Sequence, residues 1–427
     1  MVYLILFLSS FLSVYHLISS YKFRHRKVLY EVAHKGISVL IPCYNEAPIL
    51  KYTVKGVLMV EYDNLEVIFI NDGSQDGTFQ VLHKMLELYE WEGKIADTLP
   101  VIVKGVYKSR KHPFVYVIDK YNSGKAESLN IGIMFAGKEL IVTMDGDCVL
   151  EKNALTSMNT IFDDESVIAS CGIIHVIQMF KLKSRLKLIV LMQALDYIKG
   201  FYFYKASLAY NDALSIISGA FGVFRKSIII EIGGFKKGLG EDIDMTIRFQ
   251  QYAKLHNKKV VYNTNAICYT ECPESLKELI AQRVRWQKGF IDAVLNNSGF
   301  LFKNVFKSNV CFYMVIDALL SNSFATVVFI INTILALAGV IFGYPLPIIG
   351  YYLTTIVFNI VCSVMAIKIA KKNVPYLKTR LLYLVIVYDM LLFQLLRIYF
   401  FIAGAATYIF DSEHWYKVNR TNNSYNI

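Results

Sequence analysis

Two carboxylates flank a glycine at Asp145-Gly146-Asp147, directly after the apolar run Leu140–Met144. Both side chains of such a turn can reach one hard divalent cation, Mg2+ or Mn2+, and a cation bridging a diphosphate needs that arrangement. The bland alternative is an acidic turn. Three more polar clusters close short apolar runs: Asn45-Glu46, Asn71-Asp72-Gly73-Ser74 and Asn122-Ser123-Gly124-Lys125. Asp72 can accept from a nucleobase N–H, although Asp-Gly is also a common turn. Gly124-Lys125 opens a predicted helix and suits an anionic phosphate through helix N–H groups and charge. Glu241-Asp242, after Gly240, opens another. One of these carboxylates can act as general base toward an acceptor hydroxyl, or the pair can simply complement the helix dipole.

A further group lies at Gln282, Arg285, Trp286 and Gly289, spaced i, i+3, i+4 and i+7, so a helix carries them on one stripe. A guanidinium offers fork-like donors for phosphate oxygens, and an indole offers an apolar plate for a sugar ring. The competing reading is an amphipathic helix lying on a membrane surface.

Elements that could position these residues follow from the hydrophobic pattern. Ile37–Pro42, Leu65–Ile70, Phe114–Ile118 and Leu140–Met144 read as strands; Pro48–Val60, Asp76–Glu90 and Lys125–Phe135 read as helices. Fully apolar strands alternating with helices predict an α/β domain with a parallel sheet covered on both faces. Ligands of such sheets bind beyond the carboxyl ends of the strands, where all four clusters fall. Glu92–Pro113 reads as a basic surface loop, and Ser218–Phe224 as a buried strand whose glycines admit close approach. A helix is expected near Ile243–Leu255, while Arg248 and Asp163–Glu165 read as solvated surface. Lys181–Tyr210 fits either an interfacial helix or one packed at the sheet edge.

The chain is 55% hydrophobic with a net charge of +11, too apolar for a purely soluble protein. Val2–Ser20 carries no charge and is followed by Lys22, Arg24, Arg26 and Lys27. A cleaved leader would show the opposite flank, so this reads as an anchor with the next domain in the cytoplasm. Val310–Phe342, Ile348–Ile367 and Leu381–Phe410 are further apolar stretches, with a tight turn at Gly343–Pro347. Asp317, Asp389 and Arg397 interrupt them and are expected to face a polar path, an interface or another protein. The basic residues edge apolar segments, which favours anchoring over nucleic-acid binding. The seven cysteines read as reduced thiols.

In order, Pro42-x-Tyr44-Asn45-Glu46, Asn71-Asp72-Gly73-Ser74, Gly124-Lys125, Asp145-Gly146-Asp147, Gly240-Glu241-Asp242 and Gln282-x-x-Arg285-Trp286 resemble the family 2 inverting glycosyltransferases. The likeness is greatest to the processive membrane-embedded members: cellulose, chitin, hyaluronan and, nearest, bacterial poly-β-1,6-N-acetylglucosamine synthases. The resemblance implies a GT-A domain over 36–272 between an anchor at 1–21 and a helical membrane domain at 310–410. Residues 273–309 would be interfacial and 411–427 a tail. It also implies a bacterial inner-membrane location, a UDP-sugar donor (UDP-GlcNAc foremost), a growing polysaccharide acceptor, contact with membrane lipid, and no nucleic-acid partner. By the same resemblance, Pro42, Tyr44, Glu46, Asp72 and Lys125 hold the donor, and Asp145 and Asp147 place the metal on the diphosphate. Asp242, beside Glu241, deprotonates the acceptor. Arg285 stabilises the departing UDP, Trp286 supports the acceptor sugar, and Gln282 belongs to the same catalytic set. Relatives usually carry two spans before the catalytic domain and this chain has room for one, so a small membrane subunit or homo-oligomer is expected to complete an export path. The alternatives are a nonprocessive transferase acting on a lipid-linked acceptor and a noncatalytic membrane scaffold.

Overall fold

The computed structural model describes residues 2–23, 32–93, 102–180, 186–324 and 345–410. They form two compact units. One takes the N-terminal helix, the stretch ending at Ser215 and the chain from Glu274 onward. The other holds the sheet and its helices, resumes at Ile216 and ends at Pro273.

The sheet unit has ten strands: β1 Ile37–Cys43, β2 Leu65–Asp72, β3 Leu88–Glu90, β4 Val103–Ser109, β5 Val115–Lys120, β6 Leu140–Thr143, β7 Cys148–Leu150, β8 Val167–Val176, β9 Gly222–Arg225 and β10 Lys259–Thr270. Their spatial order is β3-β4-β5-β2-β1-β6-β9-β8-β10-β7. Strands β5, β2, β1 and β6 are mutually parallel, as the apolar runs predict. The chain leaves β1 toward β2 on one side and reaches β6 on the other, which makes the β1/β6 edge a topological switch point. Helix Lys125–Phe135 packs on β1 and β2; helices Ala154–Phe162 and Glu241–His256 pack on β8 and β10.

The sheet is mixed, however, and three expectations change. The helix expected over Asp76–Glu90 runs only from Thr78 to Leu86, because Glu87 turns left-handed (φ 50°) and β3 follows. The loop expected over Glu92–Pro113 contains β4, antiparallel to β5. The strand expected from Ser218 begins at Gly222 and runs antiparallel between β6 and β8. Arg248 is also buried rather than solvated: its Nε donates to Asp244 Oδ2 at 2.8 Å and its Nη1 to the Ile232 carbonyl at 2.9 Å. A half-apolar helix packed on a sheet cannot leave its inward arginine unpaired. All seven cysteines are buried thiols.

In the helical unit, helix Val2–Lys22 packs on Lys205–Tyr210 and on the π-helical segment Tyr313–Phe324. Helix Leu188–Lys199 packs against Pro345–Asn373 and Thr379–Tyr388, and helix Leu276–Asn296 lies along Gln394–Phe410. The stretch left open between sheet edge and interface therefore belongs to this unit. Pro345 starts a helix rather than sitting in a turn. The last apolar stretch forms one continuous helix, Thr379–Phe410, with a π turn at Asp389–Phe393; among the described residues it is the helix long and apolar enough to cross a membrane. Leu384, Val387, Leu391, Leu395 and Ile402 line its exposed side.

Asp317, Asp389 and Arg397 do not await an outside partner. Asp317 Oδ2 contacts His16 Nε2 at 3.0 Å and accepts from Tyr204 at 2.9 Å. Asp389 accepts from Lys199 at 2.6 Å and from Arg397 at 2.9 Å. Charges in an apolar helical unit pair with each other when neighbouring helices supply the opposite sign, so these three give no argument for a second subunit. Arg24, Arg26, Lys27, Gly343-Tyr344, the part of Val310–Phe342 after Phe324, and the tail 411–427 lie outside the described residues.

Candidate active site

The polar clusters do meet at the carboxyl edge of the parallel strands. Gly73, at φ +66°, packs so closely that a Cβ there would stand 2.6 Å from the Asn122 backbone nitrogen. The Pro42–Glu46 turn is tied to the same loop: Asn45 N–H donates to Ser74 Oγ at 3.0 Å and Glu46 N–H to Thr78 Oγ1 at 2.8 Å. Gly146 lies against Glu46 and Pro42, and Thr53 Oγ1 donates to its carbonyl at 2.7 Å. Glu46 is buried and Pro42 and Tyr44 are half-buried along this edge.

Asp72 ends β2 at this edge, held by the protein's own donors. Its carboxylate is buried and already accepts from Lys120 Nζ, Ser123 N–H (2.9 Å), Gly124 N–H (3.0 Å) and Asn122 Nδ2 (3.4 Å). Four donors already lie against this carboxylate, so a nucleobase N–H would share it with them. The same bonds occupy the N–H groups ahead of helix Lys125–Phe135, so the anion at that helix start is the protein's own Asp72. Lys120 is the residue the sequence reading missed: it is 0% exposed and ion-paired with Asp72. A lysine ending an apolar strand beside an acidic loop was the available signal. Lys120→Met leaves Asp72 buried without its counter-ion, and a loss of roughly 3 kcal/mol of stability is expected. Chemical denaturation of the folded enzyme measures it.

Lys125 bridges the two acidic motifs. Its Nζ lies 2.7 Å from Asp145 Oδ1 and 3.1 Å from Glu241 Oε1. Burial alone would lower the ammonium's pKa, but Asp145 and Glu241 more than offset it and hold the group above its ordinary range. Gly219 makes this bridge possible, since a Cβ there would stand 2.6 Å from Lys125 Nζ. Its N–H also donates to Asp242 Oδ2 at 3.4 Å, and Ile243 N–H donates to Asp242 Oδ1 at 2.9 Å. Asp242 is pushed up to about 6, first by burial and next by Glu241; Lys125 and the two N–H groups pull the other way.

Carboxylate oxygens of Asp145 and Asp147 and the Cys148 sulfur all lie within 4.8 Å of one another. Burial drives the Cys148 thiol well above its ordinary range, and the hard donors of the group are its two carboxylates. That oxygen set fits a hard divalent cation.

In the helical unit, helix Leu276–Asn296 begins at Ser275, whose side chain accepts from Glu278 N–H. Gln282 and Gly289 are buried, Arg285 is half-buried and Trp286 is 40% exposed. Gln282 Oε1 is a buried acceptor with no hydrogen-bond partner among the described residues.

A transferase that takes its group from a nucleotide diphosphate is the class of protein that this edge fits. The family described as Glycosyl transferase family 2 matches residues 38–233, and Glycosyl transferase family group 2 matches residues 140–403. The chain belongs to the family 2 glycosyltransferases, and it is a glycosyltransferase with the GT-A fold. The poly-beta-1,6-N-acetyl-D-glucosamine synthase of Staphylococcus aureus (strain COL) is 26% identical over 304 residues, 69% of this chain and 66% of the relative. That of Staphylococcus epidermidis is 27% identical over the same extent. The match thus falls just short of two thirds of these relatives' length. A mannosyltransferase from Pyrobaculum calidifontis, solved with GDP-Man and Mn2+, shares the fold at a TM-score of 0.59 and 16% identity, over 97% of this chain and all of that one.

Proposed function

We propose that this chain is a processive inverting glycosyltransferase that builds a polysaccharide of N-acetylglucosamine from UDP-GlcNAc. The observation that carries it is the meeting of the acidic motifs at one edge: Lys125 is ion-paired with both Asp145 and Glu241, and Asp242 lies next to Glu241, held by the Gly219 and Ile243 N–H groups. The Staphylococcus relatives support the sugar. Location in a bacterial cell membrane, with the sheet unit in the cytoplasm, belongs to the same reading. So does a membrane subunit or second copy as partner.

In this reading, Asp242 takes the proton of the acceptor hydroxyl as its oxygen forms the new bond to the anomeric carbon. The bond from that carbon to the diphosphate breaks on the opposite face, the electron pair leaves with UDP, and the configuration inverts. Lys125 and Arg285 supply positive charge to the diphosphate, and Arg285 does so with a planar fork. Gln282 donates or accepts at a sugar hydroxyl, and the Trp286 ring carries the acceptor ring. Pro42, Tyr44 and Glu46 line the donor side. A divalent cation, Mg2+ or Mn2+, held by Asp145 and Asp147 would neutralise charge developing on the leaving diphosphate.

Radiolabelled UDP-sugars and GDP-Man, offered singly to membranes containing the protein, test the reading. UDP-GlcNAc is expected to give long polymer, and Trp286→Ala is expected to give short chains with donor hydrolysis retained. A product stopping at one added sugar would replace polymerisation by single transfer.

A further inference from the structure

Trp286 is not held by packing alone. The Arg283 guanidinium, one helical turn earlier, lies 4.4 Å from the centre of the indole and covers one side of it. The Tyr197 ring stands 6.4 Å from the indole at 50°, and 5.9 Å from the same guanidinium. An arginine stacked on a helix surface ordinarily swings free. Here Arg283 Nη2 is ion-paired with Asp196 Oδ2 at 2.9 Å. The other oxygen of Asp196 holds Arg397 Nη2 at 2.9 Å, Arg397 reaches Asp389 Oδ1 at 2.9 Å, and Asp389 Oδ2 holds Lys199 at 2.6 Å. Asp389 opens one π turn, and Lys199 immediately precedes another, Gly200–Tyr204. Such turns recur where a helix is shaped for function.

The geometry points to Asp196 as a positioning residue that sets the plane of the Trp286 ring through Arg283; this rests on the reading of Trp286 as the acceptor platform. Three cations and two carboxylates make up the network, and Asp196 is the carboxylate that binds both arginines. Neutralising it leaves Arg283, Arg397 and Lys199 facing Asp389 alone. Like charges then push Arg283 off the indole, and the ring loses the backing that fixes its tilt. Tyr197, the next residue on the same helix, steadies the indole from a second direction.

The test uses the full chain in lipid nanodiscs, labelled with fluorotryptophan, and Trp286→Phe assigns the Trp286 resonance by fluorine NMR. Asp196→Asn is expected to shift or broaden that resonance and to shorten the polymer made from UDP-GlcNAc severalfold, with KM for UDP-GlcNAc unmoved. Asp196→Glu should restore part of both. Arg283→Lys keeps the charge, and so is expected to fold even if Asp196→Asn does not. It should nevertheless behave like Asp196→Asn, because an ammonium cannot cover the ring. An unmoved Trp286 resonance in either variant overturns the proposal, as does full-length polymer from a variant whose resonance has moved. Full-length polymer from Trp286→Ala would instead sink the platform reading, and the resonance would still report whether Asp196 orients the ring.

Discussion

Asp242→Asn is expected to lower sugar transfer by about 10² or more while donor affinity survives. The change is nearly isosteric, and an amide oxygen can still accept the Ile243 N–H that lies 2.9 Å from Oδ1. What disappears is a base strong enough to take a hydroxyl proton. The wild-type carboxyl is poised for that work, raised to about 6 by burial and then by Glu241. The sign of the pH dependence follows. The active form is the carboxylate, present above that value and lost as pH falls through it. Log(kcat/KM) should therefore decline below about pH 6, roughly tenfold per unit. A cation at Asp145 and Asp147 would pull the limb lower, and Glu241→Gln should do the same by removing a repelling neighbour. Donor affinity and turnover measured in one preparation decide the matter. Turnover barely changed in Asp242→Asn would leave Asp242 as a helix-start acid.

Parts of this site were legible in sequence because they are local. Asp145-Gly146-Asp147 follows a four-residue apolar strand, so its place at the sheet edge is fixed by the strand before it. The same holds for Asn71–Ser74 and for Glu241-Asp242 at a helix start. What was illegible depends on distant pairing. Strand β4 carries Lys104 and Lys108 and looked like a solvated loop; it is a near-edge strand, where charge is tolerated. Strand β9 is four residues long, and only its fit between β6 and β8 makes it a strand. Asp72 reads as a free acceptor until Lys120, 48 residues on, is folded beneath it. The charges of the helical unit look orphaned because their partners are remote: His16 and Asp317 are 301 residues apart, Asp196 and Arg397 201. Local spacing identifies chemistry; which charges are spent on holding the fold emerges only from the pairing.

That distinction sharpens the expectation for the metal. Asp145, Asp147, Glu241 and Asp242 bring four carboxylates to one edge, and Lys125 is the ammonium paired with two of the motifs. A diphosphate approaching such a group meets net negative charge, and one lysine does not reverse it. Transfer is therefore expected to stop in excess chelator and to return with Mn2+ or Mg2+. Asp147→Ala should lose about 10² or more in turnover. Asp147 is buried, with Thr270 Oγ1 3.4 Å from Oδ2, so Asp147→Asn keeps that contact and the shape while removing a ligand charge. It should fold normally and still fail to bind Mn2+, read directly by electron paramagnetic resonance without any turnover. Lys125→Met should act in the opposite sense on the cation: with its competitor for Asp145 removed, Mn2+ should bind at least as tightly although the diphosphate binds less well. Full turnover of Asp147→Ala in excess chelator would show that the carboxylate pair is only an acidic turn.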